Sequence, residues 1–281
     1  MRTSKMIDEE VVSQSQEVLG KLEDLVFGLQ SSSYPSLRGI VVRVGGRSLY
    51  VPATAIQTFE QDRILLAKAK VDLRGFERRE GEVLLQADLL GHRLIDIDEA
   101  QLVWAWDVEV EHRNGEWLLT GIVAHRRPSH FLKVIPRRGS QDVKDWKTFE
   151  PLIGHSASAF ARAPFKRMHR LKPAQIADLI EEASQDESAE LMVDLHRDPE
   201  LEADVYEELD PETANRLFGD KPDEEVADVI ARMQANDAAD AIGELPQERR
   251  RRVLDLLPHS ERAKIMNLMS FNASSAGGIM S

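Results

Sequence analysis

The sequence contains no cysteine, which excludes disulfide bonds, thiolate nucleophiles and cysteine-ligated zinc sites. No apolar run approaches the roughly 20 residues that a membrane-spanning helix requires. The first ten residues are too polar to begin a secretory signal peptide. Together these absences favour a reducing compartment and predict a cytoplasmic location.

Sequence motifs typical of enzymes are also missing. The eight histidines form no His-x-x-x-His pair, the paired glycines open no phosphate-binding loop, and no serine lies in a Gly-x-Ser-x-Gly elbow. We therefore predict that the chain is not an enzyme.

Charge is distributed unevenly along the 281 residues, which are enough for two domains. The formal net charge is −13, but residues 171–281 carry 26 acidic and 11 basic side chains, whereas residues 1–170 are nearly neutral. The acidic half should repel the phosphates of nucleic acids and attract cations, so we expect no nucleic-acid partner. A second interpretation is that the acidic surface only keeps the domain soluble.

The acidic half is predicted to be a run of short helices, because proline recurs just before acidic or polar turns that lead into apolar patterns. Proline suits the first helical turn, where its missing N–H would be unpaired anyway, and acidic side chains there suit the helix dipole. Helices of two to three turns are unstable alone in water, so they must stack as a solenoid. The prolines concerned are Pro173, Pro199, Pro211, Pro222, Pro246 and Pro258.

Apolar positions on one face of these helices predict which residues are buried between them. They are Leu179, Ile180, Leu191, Leu195, Val205, Leu209, Leu217, Val229, Ile230, Ile242, Leu245, Leu254 and Leu257. One of the helices also carries four consecutive arginines, at positions 249–252. Helical geometry allows only two of them to contact a single partner, so we expect pairing with nearby acids.

Residues 37–136 show the two-residue period of β-strands. The clearest hairpins turn at Gly45-Gly46 and at Asn114-Gly115, where both turn residues tolerate positive φ. Many short strands with tight turns indicate a small barrel or sandwich. Residues 1–30 are predicted to form an amphipathic helix, which either covers a domain edge or pairs with another chain in a homodimer. Residues 137–168 are predicted to be a polar linker.

Four segments of the acidic half resemble, in order, the cytosolic N-terminal domain of MgtE-type magnesium channels. The resemblance covers residues 169–272, and residues 273–281 resemble the point where that family passes into a pair of CBS domains. It implies a superhelical solenoid that serves as a non-catalytic, Mg²⁺-sensing regulatory module. The implied partners are the CBS pair and a membrane transporter at the inner membrane face. The segments are residues 171–180, 207–212, 236–242 and 275–281.

Three residues of the acidic half are candidate Mg²⁺ ligands. Asn236 and Asp240 are four residues apart, so they project from one helix face, and their oxygens suit Mg²⁺. The resemblance implies an acid at both positions and aligns a further upstream acid with Asp204. Since Asn236 contributes no charge, we expect weak binding. Asp237 between them is predicted to be an ordinary acid of the first helical turn.

The strand-rich half resembles a PRC-barrel domain in residues 81–91 and 94–97 and in Asp107-Val108, with Trp106 where that family often has asparagine. The combined prediction is an α+β multidomain fold, a small PRC-like β-barrel followed by the all-α solenoid. Because PRC-barrels mostly serve as protein-docking modules, a second hypothesis is a docking adaptor without metal sensing. A third, association with RNA or the ribosome through the barrel, rests on analogy alone.

Overall fold

The computed structural model describes residue 3 and residues 6–28, 34–60, 62–67, 75–79, 81–126, 143–151 and 167–270. The chain divides into two compact units, Met1–Arg170 and Leu171–Ser281. We call them the sheet unit and the helical unit. In the described part of the chain, no helix is long and apolar enough to cross a membrane. Residues 273–281, where a CBS region was predicted to begin, lie outside the described residues.

The described strands of the sheet unit belong to one 12-stranded sheet. Its central path runs β12-β8-β9-β10-β3-β2-β1-β6-β5, while β4 pairs with β3, β7 with β2 and β11 with β10. The pairs are antiparallel except for β1 with β6. The strands are β1 (Glu10–Val12), β2 (Val18–Gly28), β3 (Ser36–Val44), β4 (Arg47–Pro52), β5 (Ile56–Phe59), β6 (Arg63–Leu66), β7 (Glu82–Leu84), β8 (Arg93–Asp96), β9 (Gln101–Arg113), β10 (Glu116–His125), β11 (Val143–Asp145) and β12 (Phe149–Pro151).

The predicted N-terminal amphipathic helix of residues 1–30 is wrong, because the described part of this segment forms β1 and β2. The apolar residues of β2 fit a helical period and a strand equally well. Partners outside the segment decide the outcome, since β2 pairs with β1, β3 and β7. Gly20 also favours the pairing of β2 with β3, because the backbone of Arg43 lies where the Cβ of any other residue would stand.

The predicted polar linker of residues 137–168 is also wrong in part. Within it, β11 pairs with β10 and β12 pairs with β8, so residues 143–151 belong to the sheet. Trp146 and Phe149 are buried in the sheet unit's apolar core. The free energy gained by burying these two side chains outweighs the polar composition of the residues around them. The predicted strand domain of residues 37–136 therefore extends in both directions. The rest of the predicted linker lies outside the described residues, apart from residues 167 and 168.

Both predicted hairpins are confirmed. The β3–β4 hairpin turns at Gly45 and Gly46, with φ of 55° and 80°, and the β9–β10 hairpin turns at Asn114 and Gly115, with φ of 53° and 85°. Two consecutive positive φ values give the turn the twist that antiparallel strands need. The predicted order of a strand-rich region followed by short helices is confirmed too, whereas the PRC-barrel resemblance remains a prediction.

The sheet unit repeats one run of elements that the sequence did not reveal. The strands β2, β3 and β4 are followed by a 3₁₀ turn at Ala53–Ala55 and then β5. The strands β9, β10 and β11 are likewise followed by a 3₁₀ turn at Trp146–Thr148 and then β12. The strand pairings are the same in both runs, β2 with β3 with β4 and β9 with β10 with β11.

The two runs also share their register. Asp24 lies opposite Val41 in the first, and Asp107 lies opposite Val123 in the second. Each aspartate accepts a hydrogen bond from the N–H of the next residue, at 2.7 Å and 2.8 Å. We conclude that β2–β5 and β9–β12 follow one structural pattern used twice.

Asp24 holds the turn that follows β7. Its carboxylate is 6% exposed and accepts hydrogen bonds from the N–H groups of Gln86 and Ala87, at 2.7 Å and 3.1 Å. These residues belong to a π-helical turn at Leu85–Leu89. Burial raises the pKa of Asp24 to about 6, although the backbone donors act in the opposite direction.

We expect Asp24 to make stability fall as the pH rises from about 4 to about 6. The folded state holds the proton to a higher pH than the unfolded state, so ionisation costs folding free energy in this window. A shift of two pKa units corresponds to about 3 kcal/mol, at about 1.4 kcal/mol per unit. Carboxyl ¹³C NMR gives the pKa, and urea unfolding at pH 4.5 and 7 gives the stability change. That change should be smaller in Asp24→Asn, and equal changes in the two proteins would contradict the assignment.

Six of the eight described helices of the helical unit begin where proline was predicted to place them, and the other two, at Gln185 and Ala235, begin without one. Pro173, Pro199 and Pro211 are first residues of helices, while Pro222, Pro246 and Pro258 immediately precede one. The helices are α1 (Pro173–Glu182), α2 (Gln185–Leu195), α3 (Pro199–Glu208), α4 (Pro211–Gly219), α5 (Asp223–Ile230), α6 (Ala235–Glu244), α7 (Gln247–Leu256) and α8 (His259–Met269).

Helices two apart in the sequence pack against each other. In one row, α1 contacts α3, α3 contacts α5 and α5 contacts α7; in the other, α4 contacts α6 and α6 contacts α8. Side chains fix some of the starts, since Ser184 and Glu187 form a capping box on α2, and Asp198 and Asp210 accept from N–H groups of α3 and α4. The two rows make the predicted stacked arrangement of short helices.

The predicted core of the helical unit is confirmed at twelve of its thirteen positions. The exception is Leu254, which is only half-buried. Its neighbour Val253 is fully buried, together with Leu257 one turn later. Side chains four apart share a helix face, so Val253 and Leu257 both belong to the packed face of this helix. Leu254 therefore lies to the side of that face.

We expect Leu179→Ala to destabilise the helical unit by about 2–5 kcal/mol, because it empties a packed site that is 1% exposed. Leu256, which is 46% exposed, supplies a matched control, and Leu256→Ala should change stability by no more than about 0.5 kcal/mol. Urea unfolding of the full chain, followed by helical circular dichroism, measures both. Equal losses of stability in the two variants would contradict the burial of Leu179 between the helices.

Candidate functional site

A cleft of about 650 Å³ opens in the helical unit between the C-terminal end of α3 and the helices α4, α6 and α8. Apolar side chains form much of its wall, and acidic side chains lie among them. The aromatic rings of Tyr206 and Phe218 belong to this wall and stack with their centroids 4.4 Å apart. The remaining apolar side chains are Leu209, Pro211, Ala214, Met233, Ala239, Ala241, Leu268 and Met269.

The structure brings two of the three predicted ligand residues to this cleft. Asn236 and Asp240 both line it from α6, as their four-residue spacing requires. Asp204 is exposed on α3 and is not among the lining residues. Sequence reasoning gave Asp237 no role beyond that of a first-turn acid. It is an acid of the first turn of α6, and it also lines the cleft.

The acidic side of the cleft consists of Glu207, Asp237, Asp240 and Glu244. Glu207 accepts hydrogen bonds from the backbone N–H and the side-chain amide of Gln234, at 2.5 Å and 3.0 Å. The other three make no ion pair with any residue that the structure describes. Burial raises the pKa of Asp237, and the neighbouring carboxylates of Glu207 and Asp240 raise it further. Asp237, Asp240 and Glu244 thus have no ion-pair partner among the described residues.

The geometry fits Mg²⁺ only in part. Among the described residues, no group of three or more histidine or acidic side chains is placed to hold a metal ion. Asn236 and Asp240 offer two oxygen ligands, whereas Mg²⁺ prefers six in an octahedral arrangement and keeps several waters. Further ligands would have to be waters or come from another surface.

A buried carboxylate on α3 ties several helices together. Glu202 is 1% exposed, and its Oε1 lies 2.9 Å from Nζ of Lys221, between α4 and α5. Its Oε2 lies 3.1 Å from Nδ1 of His196, at the end of α2. Sequence reasoning missed this cluster, because its residues are separated in the chain and form no motif. We assign it a structural role.

The arginine run at positions 249–252 is likewise structural. Arg249 and Arg252 both donate from Nε to the carboxylate of Asp223, at 2.8 Å and 2.6 Å, which joins α7 to α5. Arg250 donates to the backbone carbonyls of Gly243 and Leu245 at the end of α6. As predicted, two of the four arginines contact one partner.

We expect Asp223→Asn to lower the urea midpoint of the helical unit, because it removes the carboxylate that both arginines contact. The hydrogen bonds from Arg252 and Arg249, together with their positive charge, hold the pKa of Asp223 below its usual range. The contribution of Asp223 to folding stability is therefore present above the unfolded-state pKa and is lost on acidification. Asp228→Asn removes an exposed acid of the same helix and is the control. An equal fall of the urea midpoint in both variants would contradict a stabilising role for the contact between Asp223 and the two arginines.

In the described part of the sheet unit, the side chain of Trp106 is conspicuously exposed. Trp106 is 62% exposed and has no partner on β10, since Ala105 and Asp107 pair with consecutive residues of that strand. It is therefore the extra residue of a β-bulge, and bulges reorient a side chain away from the regular face. The rings of Trp106 and His125 form a T-shaped pair, with centroids 6.3 Å apart.

The match to a known protein family lies in the helical unit. Residues 171–274 match the family model described as the MgtE intracellular N domain. One similar structure is the soluble part of a magnesium transporter, with 20% identity and a TM-score of 0.37, covering 41% of this chain and 44% of that one.

Another is the cytosolic domain of the Mg²⁺ channel MgtE in complex with ATP, with 22% identity and a TM-score of 0.36, covering 40% and 46%. The chain thus spans less than half the length of either protein. A comparison with curated proteins finds no match.

Proposed function

Because residues 171–274 match the family model of the MgtE intracellular N domain, we propose that this chain is a non-catalytic regulatory module of a magnesium transport system. In this proposal it acts in the cytoplasm and contacts a pair of CBS domains, in the same chain or in a partner. The family match of the helical unit is the observation that carries the proposal. The sheet unit would then attach the regulatory unit to a further protein.

The distribution of charge suggests how such a module would respond to Mg²⁺. The helical unit carries the strong excess of acidic residues, and Asp237, Asp240 and Glu244 make no ion pair within the described part of the chain. An acidic partner surface would be repelled from this face, and a divalent cation between the two surfaces would reduce the repulsion. Mg²⁺ would therefore favour the docked arrangement.

The residues of this chain would supply only part of such a site. Asn236 and Asp240 are the ligands that the cleft offers, and Asp204 would contribute from outside it. An amide oxygen at position 236 can ligate a cation, but it brings no charge. Binding by the isolated chain should consequently be weak and should strengthen when a carboxylate replaces the amide.

We expect a few millimolar Mg²⁺ to raise the melting temperature of the chain only slightly. If the free ion is close to its dissociation constant, the stabilisation is about 0.4 kcal/mol, or roughly 2 °C for a unit of this size. NaCl at matched ionic strength measures the part due to screening. The specific part should increase in Asn236→Asp and disappear in Asp240→Ala and Asp204→Ala. Differential scanning fluorimetry gives the comparison.

Asp228→Ala is the matched control, since it removes an exposed acid of α5 that does not line the cleft. It should leave the Mg²⁺-specific shift unchanged. If Mg²⁺ and Na⁺ act equally on the wild type and on Asn236→Asp, with a CBS pair also present, the metal-sensing proposal fails.

The exposure of Trp106 favours a second candidate function, a protein-docking adaptor without metal sensing. A tryptophan that is 62% exposed on a strand bulge is an unusual surface residue, and tryptophan is enriched among the residues that dominate protein interfaces. Under this hypothesis the sheet unit would bind its partner at any Mg²⁺ concentration. Trp106→Ala would weaken that binding, while substitutions at Asn236 and Asp240 would not.

A further inference from the structure

In the sheet unit, the repeated pattern extends upstream of β2 and β9. The N–H of Asp8 donates to the carbonyl of Leu22 at 2.9 Å, and the N–H of Gly91 donates to the carbonyl of Ala105 at 2.8 Å. Asp8 and Gly91 both have positive φ, of 68° and 80°. The two runs therefore match residue by residue in this region, and a side chain in one run can be compared with its counterpart in the other.

The bulge that carries Trp106 has a counterpart in the first run. Leu22 and Asp24 pair with consecutive residues of β3, so Glu23 between them is the extra residue of a bulge, as Trp106 is in β9. Glu23 is half-buried, and its carboxylate accepts a hydrogen bond from the hydroxyl of Ser48 at 2.7 Å. Because the first run forms this bulge with a glutamate, the fold does not require a tryptophan at position 106.

The residues beside the two bulges differ in the same sense. In the second run, Trp104 lies directly opposite Arg93 of β8 and His125 of β10, and residues that are opposite on neighbouring strands share a face. The T-shaped pair with His125 adds Trp106 to this group. We call Trp104, Trp106 and His125 the aromatic patch. The counterpart row of the first run consists of Glu10, Lys21 and Arg43.

The charged side chains around the aromatic patch are mainly positive. Arg93 borders Trp104 on β8, and the exposed Arg126 follows the last residue of β10. Asp107 is the only acid within two residues of either tryptophan in the sequence. Its side chain is 3% exposed and accepts a hydrogen bond from the backbone, so it contributes little charge to the surface. The patch therefore combines exposed aromatic area with a positive border.

We propose that the aromatic patch is a docking surface for an acidic peptide segment that carries an apolar side chain. The apolar side chain would pack against Trp106, and a neighbouring carboxylate would pair with an arginine at the border. Tryptophan is enriched among the residues that dominate protein interfaces. Nucleic acids and anionic membranes fit less well, because a chain with a net charge of −13 repels a polyanion more strongly than a peptide with few carboxylates.

This inference rests on the docking hypothesis for the sheet unit and is independent of regulation by Mg²⁺. A selection of displayed random peptides on the full chain tests the chemistry of the partner. We expect the enriched peptides to contain more acidic than basic residues, next to an aromatic or aliphatic one. In titrations followed by fluorescence anisotropy, replacing the acids of an enriched peptide by their amides should weaken binding at least about tenfold, equivalent to about 1.4 kcal/mol.

Variants locate the binding on the sheet unit. Trp106→Glu introduces the residue that stands at the counterpart position of the first run, and it should weaken binding of the selected peptide at least about tenfold. Arg126→Gln removes a positive charge from the border and should weaken binding several-fold. Glu23→Ala alters the counterpart bulge and is the matched control, which should leave binding unchanged. Melting curves verify that the three variants fold.

The outcomes separate the partner's chemistry from docking itself. Selected peptides that require Trp106 but carry no excess of acidic residues would overturn the acidic partner and leave the docking hypothesis standing. Tighter Trp106-dependent binding of single-stranded DNA or of phosphatidylserine vesicles would likewise overturn the choice of a peptide. If no peptide is enriched, or if the enriched peptides bind the wild type and Trp106→Glu equally, both this inference and the docking hypothesis fail.

Discussion

Burial of one apolar face on every helix is the constraint on which the helical unit depends. Its helices have only 8 to 11 residues, too few to be stable alone in water. Most therefore gain stability from neighbours two positions away in the chain, which produces two rows of packed helices, while α2 packs against the adjacent helices α1 and α3. The polar contacts described above act at the ends and edges of this stack, where Asp223 joins α7 to α5 and Glu202 joins α3 to its neighbours.

The same constraint explains the position of the cleft. With one face of α6 committed to α4 and α8, the acids of its other positions remain near the surface. Apolar and acidic side chains consequently meet around Asp237 and Asp240. Partial burial of Asp237 and repulsion from its acidic neighbours make this a place where a positive charge lowers the free energy.

The sheet unit depends on a different principle, the repetition of one strand pattern. Asp24 and Asp107 occupy equivalent positions in the two runs, each opposite a valine and each accepting a hydrogen bond from the following residue. In the first run, the aspartate also binds the backbone of the turn after β7. A position that belongs to the repeated architecture thus also fixes a neighbouring turn.

Local chemistry let the sequence by itself determine much of this protein. Proline before acidic turns located six of the eight described helix starts, paired residues with positive φ located two hairpins, and apolar spacing gave twelve buried positions of the helical core. Asn236 and Asp240 were placed together for the same reason, since residues four apart on a helix share a face. Each of these features depends on interactions within a few residues.

Only the tertiary structure decided the features that need distant partners. The N-terminal segment is a strand because β1, β3 and β7 pair with it, and residues 143–151 join the sheet because β8 and β10 accept them. Val253 is buried in place of Leu254 because of the orientation of α7 in the stack. The cleft likewise requires four helices to converge around Asp237. Such outcomes depend on which surfaces meet, and hydrophobic burial sets that through contacts that no local pattern records.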